Sequence, residues 1–293
     1  MEPQSTVNIQ AVKQPEPETQ KQPLKFPRIF IGIPTGPSKL YSTYYMVASL
    51  ANLNYPNIEV HWAVTGALDD PRFSEFRDRL TKLCEAVKWQ DGWSNTIHYV
   101  PLTKEQRMQS YGPILENKAV LRNAFLDSDA EYFLLLGGDN PPPRDAVSML
   151  MSTGADVAMG TCYQRPGKTD YGIYPLVWRY LVKLEEIDAL NVDEINKRQM
   201  RQNWLTSPCI INVSYDPDFT KQQGIEWYVC GGDGCALIKR HVLETIDWGV
   251  VPPDSVACSE DMYFMTQALF YGYTTCCLPK MHVAHMSESG LGV

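Results

Sequence analysis

At 293 residues, 44% of them hydrophobic, the chain is long enough to bury a large α/β core as one domain with a tail. A net charge of −8 and a pI near 5.2 supply no basic field for a polyanion, so nucleic acid is excluded as a partner and a small anionic ligand needs a local device, such as a metal. No apolar run reaches the roughly 20 residues of a membrane-crossing helix, and no charged-then-apolar leader is present. The expectation is a cytoplasmic protein with no transmembrane segment.

Residues 1–26 are rich in Gln, Pro, Glu and Lys, too polar to offset the entropy of ordering, and are expected to form a disordered tail. A single domain is expected over residues 27–288. It opens with the apolar run Arg28-Ile-Phe-Ile-Gly-Ile-Pro34, closed by Pro-Thr-Gly-Pro: a buried strand and a loop. A helix over 41–53, an alternating strand over 58–64 and a helix over 71–87 come next, the last with Phe73, Phe76, Leu80 and Leu83 on one face. Strand alternating with helix argues a mainly parallel sheet flanked by helices, Rossmann-like in plan.

Beyond a weaker strand at 96–100, a helix over 114–126 leads into Glu131-Tyr-Phe-Leu-Leu-Leu136, apolar throughout as a strand covered on both faces should be. A helix at 146–151 and a strand at 156–160 come after it. The charged stretch from Trp178 to Trp204 reads as helical with little sheet character, an insertion bounded near 176–206 on the acceptor side of the site. The second half resumes with a strand at 227–229, a Gly-rich turn, a strand at 236–238, helices from His241 and over 259–271, and a strand near 274–278. The eight cysteines lack paired C-x-x-C spacing and read as buried free thiols. Asn212-Val-Ser214 is a formal glycosylation sequon, of consequence only in a secretory compartment.

In open α/β sheets, ligands bind outside the carboxyl ends of the strands. Asp139 stands there, after the most apolar strand and after Gly137 and Gly138, which let backbone approach a ligand closely. Asn140 and three prolines then fix a turn. The same position equally suits a carboxylate that caps the helix starting near Arg144 or Asp145. Glu260 and Asp261, after Ser259, lie in the first turn of a helix, where acids complement the dipole whether or not they act on a substrate.

These segments together resemble GT-A glycosyltransferases of the family 2 type. The resemblance rests on Glu116-Asn-Lys-Ala-Val-Leu-Arg-Asn123, on the strand ending Gly137-Gly138-Asp139 as a variant of D-x-D, on Asp156-Val-Ala-Met-Gly160 with Tyr163, on Cys230-Gly-Gly-Asp-Gly-Cys235 and on the Glu260-Asp261 helix. It implies an α/β GT-A fold and transfer of a sugar from a nucleoside-diphosphate sugar to a glycan, protein or small-molecule hydroxyl. It further implies Asp261 as general base with Glu260 orienting the acceptor. Asp139 and the late His285, with His282 in reserve, would bind Mn²⁺ or Mg²⁺, imidazole favouring Mn²⁺. Donor contacts fall to Pro34, Thr35, Lys118, Arg122, Gly138, Asp139 and Asn140, and sugar or acceptor contacts to Gly232 and Asp233. The chain departs from the pattern at Gly137, where the first acid would stand, and after the second strand, where Asp69 or Asp70 could substitute. The departure at Gly137 keeps open a degenerate carbohydrate- or nucleotide-binding module. A sugar nucleotidyltransferase shares the sheet but needs a basic, Gly-rich triphosphate loop that Ile33-Pro-Thr-Gly-Pro-Ser38 lacks.

Overall fold

The computed structural model describes residues 26–164 apart from 68, 104 and 107–111, residues 234–287 apart from 249–258, and short segments between 174 and 230 and at 290–292. Residues 1–25 of the N-terminal tail, most of the 176–206 stretch, and Gly232 and Asp233 lie outside the described residues. In chain order the elements are β1 (Ile29–Thr35), α1 (Thr43–Ala51), β2 (Ile58–Gly66), α2 (Pro71–Ala86), β3 (Ser94–Pro101), α3 (Gly112–Asp127), β4 (Tyr132–Leu136), α4 (Ala146–Met151) and β5 (Val157–Gln164). After these come β6 (Tyr174–Pro175), β7 (Trp178–Tyr180), β8 (Ile210–Asn212), β9 (Glu226–Trp227), β10 (Val229–Cys230), β11 (Cys235–Lys239), α5 (Arg240–Thr245), α6 (Glu260–Phe270), β12 (Thr275–Val283), β13 (His285–Ser287) and β14 (Gly290–Gly292).

The described strands build a nine-stranded sheet in the order β3-β2-β1-β4-β11-β5-β12-β9, with β6 beside β5. Strands β1 to β5 and β12 run one way, and β6, β9 and β11 run against them. The mainly parallel sheet expected from strand–helix alternation is therefore present, with one reversed strand at its centre. The reversal has a local cause: the chain enters β11 at Cys235, opposite Leu136 at the carboxyl end of β4, and can only run back along it.

Side chains alternate across the sheet with period 2. On β1, Ile29, Ile31 and Ile33 face a core shared with Met46, Val47 and Leu50 of α1 and with Phe73, Phe76 and Leu80 of α2. Phe30 faces the other side, where Phe133, Leu121 and Phe125 of α3 and Met262, Phe264 and Met265 of α6 pack. Each such side chain withdrawn from water contributes about 1.5–3 kcal/mol. At Gly32 a Cβ would lie 2.4 Å from the Phe133 ring, so the aromatic stack Phe30–Phe133, with centroids 5.3 Å apart, depends on a glycine there.

Two expectations are corrected. Trp178–Tyr180, read as the start of a helix, is a strand paired antiparallel with β8 and β10; its two aromatic residues favour a strand. The last long strand does not stop at 278. A register shift between Leu278 and His282 accommodates Pro279 and carries β12 on to Val283, which delivers His285 to the same edge as Thr35 and Leu136.

Candidate active site

The loops after β1 and β4 touch. A Cβ on Gly138 would lie 3.0 Å from the Pro34 carbonyl oxygen and 2.8 Å from Thr35 Oγ1, so only glycine lets these loops close against each other. Asp139, next in the chain, is 5% exposed. A carboxylate withdrawn from water to that degree needs partners, and its Oδ2 has three: the Lys39 ammonium, the Tyr41 hydroxyl, which donates at 3.1 Å, and His285 Nε2 at 3.6 Å. Its backbone is pinned as well. Met286 N–H donates to the Asp139 carbonyl at 2.9 Å, and the Ser42 hydroxyl donates to the Gly138 carbonyl at 2.8 Å. Asn140 is buried behind it, its Nδ2 donating to the Ala284 carbonyl at 3.2 Å.

Beside this carboxylate lies a cleft of about 460 Å³. Its walls are the loop Pro34–Lys39, including a 3-10 turn at Pro37–Lys39, the end of β2 at Thr65 and Gly66, the α2 start at Asp70 and Arg72, and Pro113, Ile114 and Asn117 of α3. Asp70 caps α2 by accepting from Arg72 N–H at 2.9 Å and pairs with the Arg72 guanidinium. Asn117 Nδ2 donates to the Thr35 carbonyl at 3.1 Å and to Thr65 Oγ1 at 3.2 Å, bridging the ends of β1 and β2. Its Oδ1 is buried with no hydrogen-bond partner, an acceptor held in the cleft wall.

At the start of α6 the side chains part company. Glu260 turns inward to Lys118, with Nζ 3.2 Å from Oε1, and the Lys118 ammonium lies 5.0 Å from the Trp248 ring centroid. Asp261 Oδ1 accepts from Met262 N–H at 2.7 Å and from the Ser259 hydroxyl. Ser259 occupies the N-cap position without a side-chain capping bond, and its hydroxyl donates to Asp261. Lys118 directly succeeds Asn117, so the Glu260 pair ties the α6 start to the helix that walls the cleft.

Of the residues singled out in the sequence, Pro34, Thr35, Gly138, Asp139, Asn140 and His285 converge at one sheet edge. Lys118 and Arg122 do not open into the cleft: Lys118 is buried against Glu260, and Arg122 Nε donates to the Leu243 and Ile246 carbonyls at 2.9 and 3.1 Å. Lys118 is thus committed to a buried ion pair and Arg122 to orphan carbonyls at the end of α5. His282 lies within β12, before the edge that His285 reaches. Sequence alone does not single out Lys39, Tyr41 or Asn117; Lys39 lies 100 positions from Asp139, and only the fold joins them. Among the described residues, Cys84, Cys162, Cys235, Cys276 and Cys277 are buried thiols, and burial pushes Cys235 and Cys277 up to about 12, which leaves those two poor nucleophiles.

The expected metal pair, Asp139 and His285, does come together, but the donor set does not match a resident divalent ion. Among the described residues no three His, Cys, Asp or Glu side chains converge. Gly137 contributes no second carboxylate, and the Asp139 oxygen nearest the imidazole already carries an ammonium. Manganese or magnesium seeks several hard oxygen ligands; this arrangement matches one positive charge, which Lys39 supplies.

No protein-family model and no curated protein sequence matches the chain. Solved structures similar to it include A197 from STIV, at 17% identity and TM-score 0.41 over 89% of this chain and 86% of that one. Another is TarS 1–349 of S. aureus in complex with UDP, at 11% identity and TM-score 0.45 over 87% and 59% of the respective chains. A third is the mannosyltransferase PcManGT from Pyrobaculum calidifontis in complex with GDP-Man and Mn²⁺, at 15% identity and TM-score 0.47 over 89% and 57%. The chain spans less than two thirds of the length of the latter two.

Proposed function

We propose that the chain is a glycosyltransferase moving a sugar from a nucleoside-diphosphate sugar to an acceptor hydroxyl. The observation that carries this reading is the buried Asp139 carboxylate at the joined carboxyl ends of β1 and β4, beside an open cleft walled by the loops after β1 and β2. That is where an α/β sheet receives a nucleotide. In this reading the cleft takes the nucleoside, and the diphosphate extends toward Lys39 and His285. The acceptor oxygen attacks the anomeric carbon, the bond from that carbon to the phosphate oxygen breaks with its electron pair staying on the diphosphate, and the acceptor proton passes to Asp261. Bonds from Ser259 and Met262 to one Asp261 oxygen fix the rotamer of the base, and the Lys118–Glu260 pair holds the helix start against α3. Gly232 and Asp233 are assigned to the acceptor sugar. A divalent ion would have Asp139, His285 and the donor's own phosphate oxygens as ligands, and taking that place requires Lys39 to leave Asp139.

The test is to incubate the protein with a panel of nucleotide sugars, with and without Mn²⁺, and measure free nucleoside diphosphate. If no donor is hydrolysed or transferred, and Asp139→Ala binds donors as well as the wild type, the transferase reading fails. Donor binding without turnover would instead favour a binding module, the reading to which Gly137 in place of an acid points.

A further inference from the structure

We propose that Lys39 is a substrate-binding residue, the site's own cation, and that it holds the donor diphosphate without a divalent ion. The inference rests on the transferase reading above and concerns a residue to which that reading gave no bond. Lys39 sits on the 3-10 turn at the cleft wall, and its backbone is anchored: its carbonyl accepts from Ser42 Oγ at 2.8 Å, Thr43 Oγ1 at 3.1 Å and Ser42 N–H at 3.1 Å. Its ammonium meets the Asp139 carboxylate, but the two groups are not equally accessible. The lysine side chain is 36% exposed and the aspartate side chain 7%, so what faces the cleft is the cation and what lies behind it is the anion.

An ammonium has three N–H donors and no acceptor, and Asp139 occupies one of them. The other two are available to phosphate oxygens entering along the cleft. The second cleft cation, Arg72, is joined to Asp70 at 2.8 Å, which leaves Lys39 as the described cation next to Asp139. A carboxylate already holding an ammonium, a hydroxyl and an imidazole attracts a divalent ion less than a bare one does. Asp139 therefore positions Lys39, and Lys39 does for the diphosphate what a metal would do at an unpaired carboxylate.

Binding of UDP and GDP is measured by calorimetry in EDTA and in Mn²⁺, for wild type, Lys39→Met and Lys39→Arg. Binding of Mn²⁺ alone is monitored by its electron paramagnetic resonance signal. The wild type is expected to bind a nucleoside diphosphate in EDTA within a few-fold of its affinity in Mn²⁺. Lys39→Met is expected to lose about 10- to 100-fold in EDTA, the scale of a charge-assisted hydrogen bond, and Lys39→Arg to retain most of it. Lys39→Met should also bind Mn²⁺ more tightly than the wild type, since Asp139 and His285 are then uncovered; a gain of this kind cannot come from misfolding. The proposal is overturned if the wild type needs Mn²⁺ for nucleotide binding, or if it binds Mn²⁺ as tightly as Lys39→Met does, while nucleotide recognition itself stands. If neither nucleotide binds the wild type in either condition, the transferase reading falls and the Lys39 proposal falls with it.

Discussion

Replacing Lys118 by methionine removes a charge from the interior while preserving the length and flexibility of the side chain. Lys118 is fully buried and Glu260, 3.2 Å away, has a side chain only 8% exposed. Without the ammonium, the Glu260 carboxylate is left buried and unpaired. One-sided removal of a buried partner costs about 3–5 kcal/mol, and the ammonium's approach to the Trp248 ring is lost with it. For a chain of this size the midpoint of thermal unfolding should fall by about 6–15 °C. Lys118→Met/Glu260→Leu takes both charges out together, and a buried pair exchanged for apolar side chains is often neutral or stabilising. The double variant should therefore recover most of the loss, with a coupling energy of about 2 kcal/mol or more in a urea-unfolding cycle. A single variant that costs under about 1 kcal/mol, or a double variant as unstable as the sum of the singles, refutes the account of this pair as a desolvated clamp between α3 and α6.

Asp261→Asn is expected to lower kcat for sugar transfer by about 10²- to 10⁴-fold while leaving nucleoside diphosphate affinity, measured by calorimetry, unchanged. Gly138→Ala places a methyl against the Pro34 carbonyl and should destabilise by about 1–3 kcal/mol, with weaker nucleotide binding because Asp139 is displaced; unaltered unfolding in urea would show that the loops can part. At Asp156 burial pushes the carboxyl's pKa up, but the Thr274 N–H and hydroxyl and the Lys239 ammonium more than offset this and hold it below its usual 3.8. Because the folded value lies below the unfolded one, the stabilisation is fully present above pH 3.8 and is lost as pH falls through the folded value. Urea titrations should show Asp156→Asn about 1–2 kcal/mol less stable than wild type at pH 7, a gap that closes in acid. His98 shifts in the same direction, through burial and then the neighbouring His61, so wild-type stability should fall as pH drops below 6.5 and His98→Gln should lessen that fall.

Where local periodicity decided structure, the reading from sequence and the fold agree. Strands β1 and β4 are apolar runs and β2 alternates, each with a sharp Gly or Pro end, and α2 buries Phe73, Phe76 and Leu80 on one face because most of its other positions are charged or polar. Asp139 was legible for the same reason, as the first acid after the most apolar strand. What could not be read were contacts that only the sheet order creates. Lys39 and Tyr41 reach Asp139 because β1 and β4 are neighbours in the sheet, although α1, β2, α2, β3 and α3 lie between them in sequence. Lys118 and Arg122 share one face of a helix, as their spacing requires, but helical spacing does not say whether that face meets solvent, ligand or protein; here it meets α6 and the end of α5. The reversal of β11 was invisible because a buried strand has the same composition in either direction.

Gly137 and the buried Asn140 are two sides of one packing solution. The Asn140 side chain folds back under its own turn: a Cβ on Gly137 would lie 2.2 Å from Asn140 Oδ1, and one on Gly234, just before β11, 2.8 Å from the same atom. Those two glycines also join through the Gly137 N–H, which donates to the Gly234 carbonyl at 3.0 Å. Asn140 is thus enclosed by glycine on both sides, donates to the Ala284 carbonyl, and so ties the Asp139 loop to the segment that carries His285. An aspartate at 137 would have to expel the amide, breaking the link that sets the Asp139–His285 spacing. Gly137→Asp should therefore not create a two-carboxylate metal site; it should cost about 1–2 kcal/mol from the lost buried hydrogen bond and weaken Mn²⁺ binding to Lys39→Met if combined with it. Tighter Mn²⁺ binding in Lys39→Met/Gly137→Asp than in Lys39→Met alone would show instead that the turn has room for both side chains, and that the glycine is not there to house Asn140.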